Sequence, residues 1–344
     1  MSRGVSRFAR VAAFAGLVAV VAFWTAQAAA PQTPAKPAAK PVPKSAPAAS
    51  AKSPPVPLLW KVSDNDSSLY LLGSFHMLLP GDYPLSKDVD AAFADSGDVV
   101  FEIPPEEMSS PTLAIRMGQA ALRADGKQLD SALPAATAKR LDAWMERNAD
   151  AMRKAGMPDQ MLQLFEPWFV GLTVSVVEMG KQGLDPKLGL DQHFSADAQA
   201  AKKPTSGLET GDEQIAFLDG MGEAEQVQFL DETLQEAADG SKEVARLHAA
   251  WRAGDADTLW NGMAVEMRDE YPALYKRINV ARNDAWVPKL EQRLRGSHDA
   301  NTLVVVGSLH LLGSDGVVEK LRARGYKVER ICGACATPAA AGAR

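Results

Sequence analysis

The chain has 344 residues and a formal net charge of −6, from 43 acidic and 37 basic side chains. That balance offers no basic face for nucleic acid or an anionic membrane, so neither is expected as a partner. What remains after its N-terminal segments suits one large domain or two small ones, and the absence of a second Pro-rich break favours one.

At the N-terminus, Arg3, Arg7 and Arg10 precede an unbroken apolar run from Val11 to Trp24, and Ala26-Gln27-Ala28 follows as a small-x-small cleavage site. This layout predicts a signal peptide over 1–28 and a periplasmic or secreted protein; an uncleaved N-terminal anchor is the alternative. No membrane span is expected beyond that segment. Residues 29–57 are almost wholly Ala, Pro, Lys and Ser, which cannot bury enough apolar surface to offset the entropy of ordering. They read as a disordered tether. The folded domain is expected over 58–331, with a C-terminal tail over 332–344.

The domain opens with a device that it later repeats. Leu69 to Leu78 (L-Y-L-L-G-S-F-H-M-L) aligns with Leu303 to Leu312 (L-V-V-V-G-S-L-H-L-L), although histidine occurs only five times in the chain. Each copy is a continuous apolar run, the mark of a strand buried on both faces, stopped by a glycine that lets the backbone turn. His76 and His310 therefore sit just beyond the carboxyl ends of central strands, where open α/β sheets place their ligands. A third such strand, Asp98 to Ile103, carries Glu102 at its end and is stopped by Pro104-Pro105. A carboxylate there must be paired, protonated or metal-bound. The fold class expected is α/β (mixed α+β), with one central mixed sheet, the two strand-G-S-x-H units related by an approximate two-fold, and a large helical insert.

The insert reads as amphipathic helices over Thr137 to Asn148, Met161 to Lys181, Glu223 to Ala238 and Ser241 to Trp251. Within it, Gly189 to Phe194 (G-L-D-Q-H-F) opens a helix in which Asp191 makes a good N-cap and His193 either faces solvent or supports the site. Lys203 to Thr210 reads as a short strand ending in a second acid, Glu209. Arg282-Asn283-Asp284-Ala285-Trp286 is expected to start the helix leading into the second device, where Arg282 either binds a substrate carboxylate, balances Glu102 or is solvated. Asn283, Asp191 and His193 join Arg282 as candidate substrate-binding residues. Cys332 and Cys335 form a C-x-x-C after the last strand; in an oxidising compartment a local disulfide is the favoured reading over half a zinc knuckle.

Two neutral imidazoles and a carboxylate make a three-ligand set that leaves a coordination position open for water on a divalent metal such as manganese, cobalt or zinc. A metal-free site would instead use His76 or His310 as general base with Glu102 as its partner. The residues alone do not choose between these. H-E-x-x-H and G-x-S-x-G are both absent, which argues against a helix-based zinc peptidase and a serine hydrolase.

These motifs, in order, resemble those of the TraB/GumN family: the first device continued to Pro84, V-F-E, G-L-D-x-H-F, G-L-E-T, W-x-x-G-D at Trp251 to Asp255, R-N-x-x-W, and V-G-S-L-H-L-L-G-x-D-G followed by L-x-x-x-G-Y-x-V. The family is similar to the Tiki proteases, enzymes thought to depend on a divalent metal, and more distantly to erythromycin esterases and haem-binding ChaN-like proteins. The resemblance implies that the two G-x-x-H histidines, His76 and His310, form the catalytic or metal site with Glu102, supported by Arg282 and Glu209. The expected function is an exported metal-dependent hydrolase acting on a peptide or small molecule. A metal-free esterase or amidase, or a non-catalytic binding protein, are the alternatives.

Overall fold

A computed structural model describes residues 53–154, 156–239, 242–296, 300–333 and 335. The expected signal peptide and residues 29–52 of the expected tether lie outside them. One six-stranded sheet organises the domain: β1 (Leu59–Ser63), β2 (Ser68–Ser74), β3 (Ser96–Phe101), β4 (Thr205–Gly207), β5 (Asn301–Gly307) and β6 (Lys327–Arg330), in the order β4-β3-β5-β2-β1-β6. The four strands from β4 to β2 are parallel, while β1 is antiparallel to both β2 and β6, so the sheet is mixed.

The apolar runs that mark the two devices become β2 and β5, adjacent and parallel, with Ser74 opposite Gly307 and Gly73 opposite Val306. Residues opposite one another share a face and successive residues alternate, so the repeat-equivalent glycines fall on opposite faces. A two-fold running along the strands requires that offset. Every residue of β2 is buried. The third strand stops at Phe101, placing Glu102 just past its end beside β5.

Helices of seven or more residues are numbered α1 (Lys87–Asp95), α2 (Pro111–Ala121), α3 (Ala135–Lys154), α4 (Pro167–Lys181), α5 (Leu190–Ala201), α6 (Gly211–Asp219), α7 (Glu223–Asp239), α8 (Lys242–Ala253), α9 (Ala281–Gly296) and α10 (Val317–Ala323). Helices α1 and α5 lie against β3 and β5, and α9 against β2. The insert packs α7 on α3 and α4, with Gly171 letting Phe229 approach where a Cβ would stand 2.8 Å from its ring. Among the described residues no helix is long and apolar enough to cross a membrane.

Two local expectations are corrected. The helix expected from Met161 to Lys181 is interrupted: Asp159–Leu162 is a single turn, Phe165 bridges to Leu122, and α4 restarts at Pro167, whose missing N–H suits a first helical position. The helix expected to start at Arg282 begins at Ala281, as α9, but it is not isolated. A continuous helical run starts at Pro272 and passes through a π turn at Lys276–Val280 into α9. The expected tether also ends earlier than Pro57, because Val56 N–H donates to the Arg252 carbonyl at 2.8 Å and Pro57 is buried.

Candidate functional site

The carboxyl ends of β2, β3 and β5 bring His76, Glu102 and His310 around one point, the α-carbon of Gly307. A Cβ at residue 307 would lie 3.1 Å from His76 Nε2, 3.2 Å from Glu102 Oε1 and 3.6 Å from His310 Cδ2. Glycine is therefore required there by close approach. All three side chains are at most 5% exposed.

Each histidine is oriented by a different polar partner. His76 Nδ1 lies 2.6 Å from Asp191 Oδ2, which also accepts from the Ser74 hydroxyl at 2.6 Å. Asp191 reaches His76 because α5 begins against the first device: Leu190 N–H donates to the Phe75 carbonyl, and a Cβ on Gly189 would stand 2.1 Å from the His76 carbonyl oxygen. The expectation of Asp191 as an N-cap is thus overturned. Gly189 caps α5, and the Asp191 carboxylate turns to the histidine instead. Burial opposes protonation of His76, yet the Asp191 charge and hydrogen bond raise its pKa above the usual value, while the same contacts hold Asp191 below the usual carboxylate range against its own burial. In the neutral ring, with Nδ1–H donated to Asp191, the lone pair of His76 is on Nε2, which is buried and has no hydrogen-bond partner.

His310 is set the other way. Arg282 donates from one terminal nitrogen to His310 Nε2 at 3.0 Å, and His310 Nδ1–H donates to Asn283 Oδ1 at 2.7 Å. A guanidinium has no acceptor, so these bonds fix the neutral tautomer. Burial, then the charges of Arg282 and His76, push the His310 pKa well below the ordinary value.

Arg282, 2% exposed, is no solvated helix residue. Its second terminal nitrogen donates to Glu102 Oε2 at 2.6 Å and Glu209 Oε1 at 2.5 Å, and Nε donates to Glu209 Oε2 at 3.1 Å. Burial alone would lower its pKa; Glu209 and Glu102 more than offset that and raise it. Glu209 also accepts from Trp286 Nε1 and from the Gln214 amide, and burial drives its pKa upward despite Arg282. Glu102 Oε1 accepts the Gly307 N–H at 2.7 Å.

A cavity of about 10 Å³ adjoins His76, Glu102 and Asp191 and is lined also by Phe101, Ile103, Met108 and Gln214. That volume admits about one water-sized occupant. A divalent cation fits part of this donor set: His76 Nε2 offers a lone pair with a carboxylate behind the ring, the usual support of a ligating histidine, and Glu102 Oε1 stands near it. His310 does not fit as it stands, because Arg282 occupies its lone pair. Among the described residues no group of three or more His, Cys, Asp and Glu side chains is gathered to hold a metal ion.

Of the sequence candidates, Asp191, Asn283, Arg282 and Glu209 converge on the three central residues. His193 does not: its side chain, a third exposed, packs tilted against Tyr83 with ring centroids 4.6 Å apart and faces Asp197. Cys332 and Cys335 are joined as a disulfide beyond β6. Ser74, Trp286 and Gln214 were not assigned site roles from sequence. Ser74 and Trp286 nonetheless lie inside the quoted motifs, whereas nothing local marks Gln214.

The family model described as TraB/PrgY/gumN matches residues 58–330. No curated protein and no solved structure matches the chain.

Proposed function

Starting from the chain's membership of the TraB/PrgY/gumN family, we propose that it is an exported hydrolase, acting on a peptide bond at the His76–Glu102–His310 site with a divalent cation. One observation carries the reading. The unpartnered His76 Nε2 adjoins a cavity of one-water size, within a cluster where two buried carboxylates, Glu102 and Glu209, face a single guanidinium and a third, Asp191, is hydrogen-bonded to His76. Buried charge is costly when unbalanced, so the cluster favours protons or a cation as the missing positive charge.

His76 and Glu102 would hold the ion, and His310 would join them on releasing Arg282. Such an ion supplies Lewis acidity toward a carbonyl and a bound water with a pKa of about 7. The protein's own part is orientation and proton handling. Asp191 fixes the His76 ring, Asn283 fixes His310, and Arg282 clamps Glu102 in place while remaining available to stabilise negative charge developing on the substrate. Ile103, Met108 and Gln214 line the cavity, whose one-water size means that neighbouring side chains must shift for a substrate carbonyl to enter.

The Arg282–His310 hydrogen bond favours a second reading, metal-free hydrolysis of an ester or amide, in which His76 Nε2 takes the proton from water and Asp191 stabilises the resulting imidazolium. Elemental analysis of the exported protein and of its H76A/H310A variant, together with cleavage of a peptide pool before and after chelation, separates the two. The cation reading expects bound metal in the native chain alone, with activity lost to chelator and regained with manganese, cobalt or zinc. Activity indifferent to chelation transfers the site to His76 base chemistry; no turnover under either condition sinks the hydrolase reading.

A further inference from the structure

Helix α8, in which the W-x-x-G-D motif begins, contributes no side chain to the cavity beside His76, yet one face of it grips the chain on both sides of that histidine. His248, Trp251 and Arg252 stand three and four residues apart and so share that face. Before His76, Trp251 Nε1–H donates to the Gly73 carbonyl at 3.0 Å, and the Phe75 ring packs against Trp251 and His248 with centroids 6.0 and 5.9 Å apart. After it comes Asp82, 0% exposed. Its Oδ2 accepts the Leu79 N–H at 2.7 Å and lies 2.7 Å from His248 Nε2, while Oδ1 accepts from Arg252. Burial opposes charge on Asp82, but the bonds from His248, Leu79 and Arg252 hold its pKa below the usual carboxylate range. A carboxylate only accepts, so His248 Nε2–H is the donor.

The turn fixed in this way is bonded on its other side to the chain that leads into α5. Leu78 and Asp185 exchange backbone hydrogen bonds at 3.2 and 2.9 Å, and the Tyr83 hydroxyl donates to the Leu188 carbonyl at 2.6 Å. Three residues on is Asp191, 2.6 Å from His76 Nδ1. The turn thus joins α8 to the segment that delivers Asp191, with His76 at its head. Working groups are held to within about 0.5 Å by the residues behind them, which two side chains 115 positions apart do not supply for each other. The second device has the same plan with fewer parts. Asp315 follows His310 much as Asp82 follows His76; it accepts from the Tyr275 hydroxyl at 3.3 Å, and its carbonyl accepts the Asn283 amide at 2.8 Å. There Asn283 both holds the turn and orients the histidine, whereas in the first device the two tasks fall to separate residues.

We infer that Asp82 is a positioning residue for the Asp191–His76 pair, held to that task by His248 and Arg252. It acts through the Leu78 to Tyr83 turn and touches neither member of the pair. The inference rests on the reading of His76 as a working group of the site, but its test needs no turnover.

The full chain, freed of metal and carrying isotope-labelled histidine, reports the pair by NMR through the His76 Nδ1–H resonance, identified by its loss in H76Q. In the native chain this proton should exchange slowly with water. In D82N it should exchange at least about tenfold faster, while the His310 Nδ1–H, held by Asn283, keeps its native rate. H248L should act in the same direction, and it carries the test alone if D82N does not fold. H248Q, whose amide can donate to Asp82 in place of the ring, should restore the native rate. No slow His76 resonance in the native chain, or an unchanged one in D82N and H248L, overturns the assignment. Faster exchange at His76 and His310 together also overturns it, since Asp82 would then be a general prop of the fold. An H248Q chain that behaves like H248L overturns the route through Asp82 and leaves only the packing of His248 on Phe75. Absence of hydrolysis with the His76 response intact removes the proposed activity and leaves this assignment standing.

Discussion

Replacing Arg282 with Met tests the centre of the site most directly. The substitution keeps an apolar stem and removes the hydrogen bonds to Glu209, Glu102, His310 and the Ile278 carbonyl. Glu209 retains Trp286 and Gln214, and Glu102 retains the Gly307 N–H, but both charges lose their counterion while at most 5% exposed. Breaking a buried pair by removing one partner costs about 3–5 kcal/mol, a large share of the stability of a single domain. R282M/E209Q leaves only one carboxylate uncompensated and should recover about 1–2 kcal/mol of that loss. Equilibrium urea unfolding followed by circular dichroism reads both values from the midpoint and slope. R282M should also free the His310 lone pair and leave a more negative cluster, so added manganese or zinc should raise its melting temperature more than that of the native chain. A loss below about 1 kcal/mol in R282M would mean that the guanidinium is not what compensates the two glutamates.

A G307A change would put a Cβ 3.1 Å from His76 Nε2 and 3.2 Å from Glu102 Oε1, so it should abolish cation uptake by elemental analysis while leaving far-UV dichroism unchanged. D191N, which removes the carboxylate behind His76, should weaken metal affinity about 10–100-fold by titration calorimetry, with the fold retained. The pH dependence at His310 has a definite sign. Its folded pKa lies well below the 6.5 of the free side chain, so the unfolded state binds the proton first, and stability present above about pH 6.5 is lost as pH falls, by up to about 1.4 kcal/mol per unit. Unfolding at pH 7 and pH 5 should show this contribution in the native chain and its absence in H310Q. C332S/C335S should leave activity and fold intact, because the disulfide closes only a short loop beyond β6.

How much could be read in advance depended on how local the determining interactions are. The two devices were legible because a strand buried on both faces must be continuously apolar, and a glycine stop followed by histidine stands out against such a run. Their adjacency, and the meeting of His76, Glu102 and His310 at Gly307, follow from strand ends in one sheet. Asp191 was legible as a site candidate but not in its role, because an acid in the first turn of a helix also looks like a cap; its partner, His76, is 115 positions away. The hold of Arg282 on His310 was illegible for a related reason, since it depends on which face of a helix looks inward. The break before Pro167 was missed because Phe165 leaves the helix to bridge Leu122, a tertiary contact that overrides helical spacing. His193 matched its motif but not its place: two residues past Asp191 on α5, it points about 200° around the helix from it.

The π turn at Lys276–Val280 makes part of the site a matter of chain length as well as residue type. A π turn arises when one residue is added to an α-helical run, and each residue of an α-helix advances about 100° around the axis. Deleting any one residue of that turn would let the run relax to regular α-helix and rotate Arg282, Asn283 and Trp286 together by about that angle relative to the turns before them. Glu209 would lose two donors and His310 both its partners at a stroke, with every side chain of the motif still in the sequence. Among related chains, the exposed Lys276 position should therefore vary in identity while the number of residues in the turn stays constant.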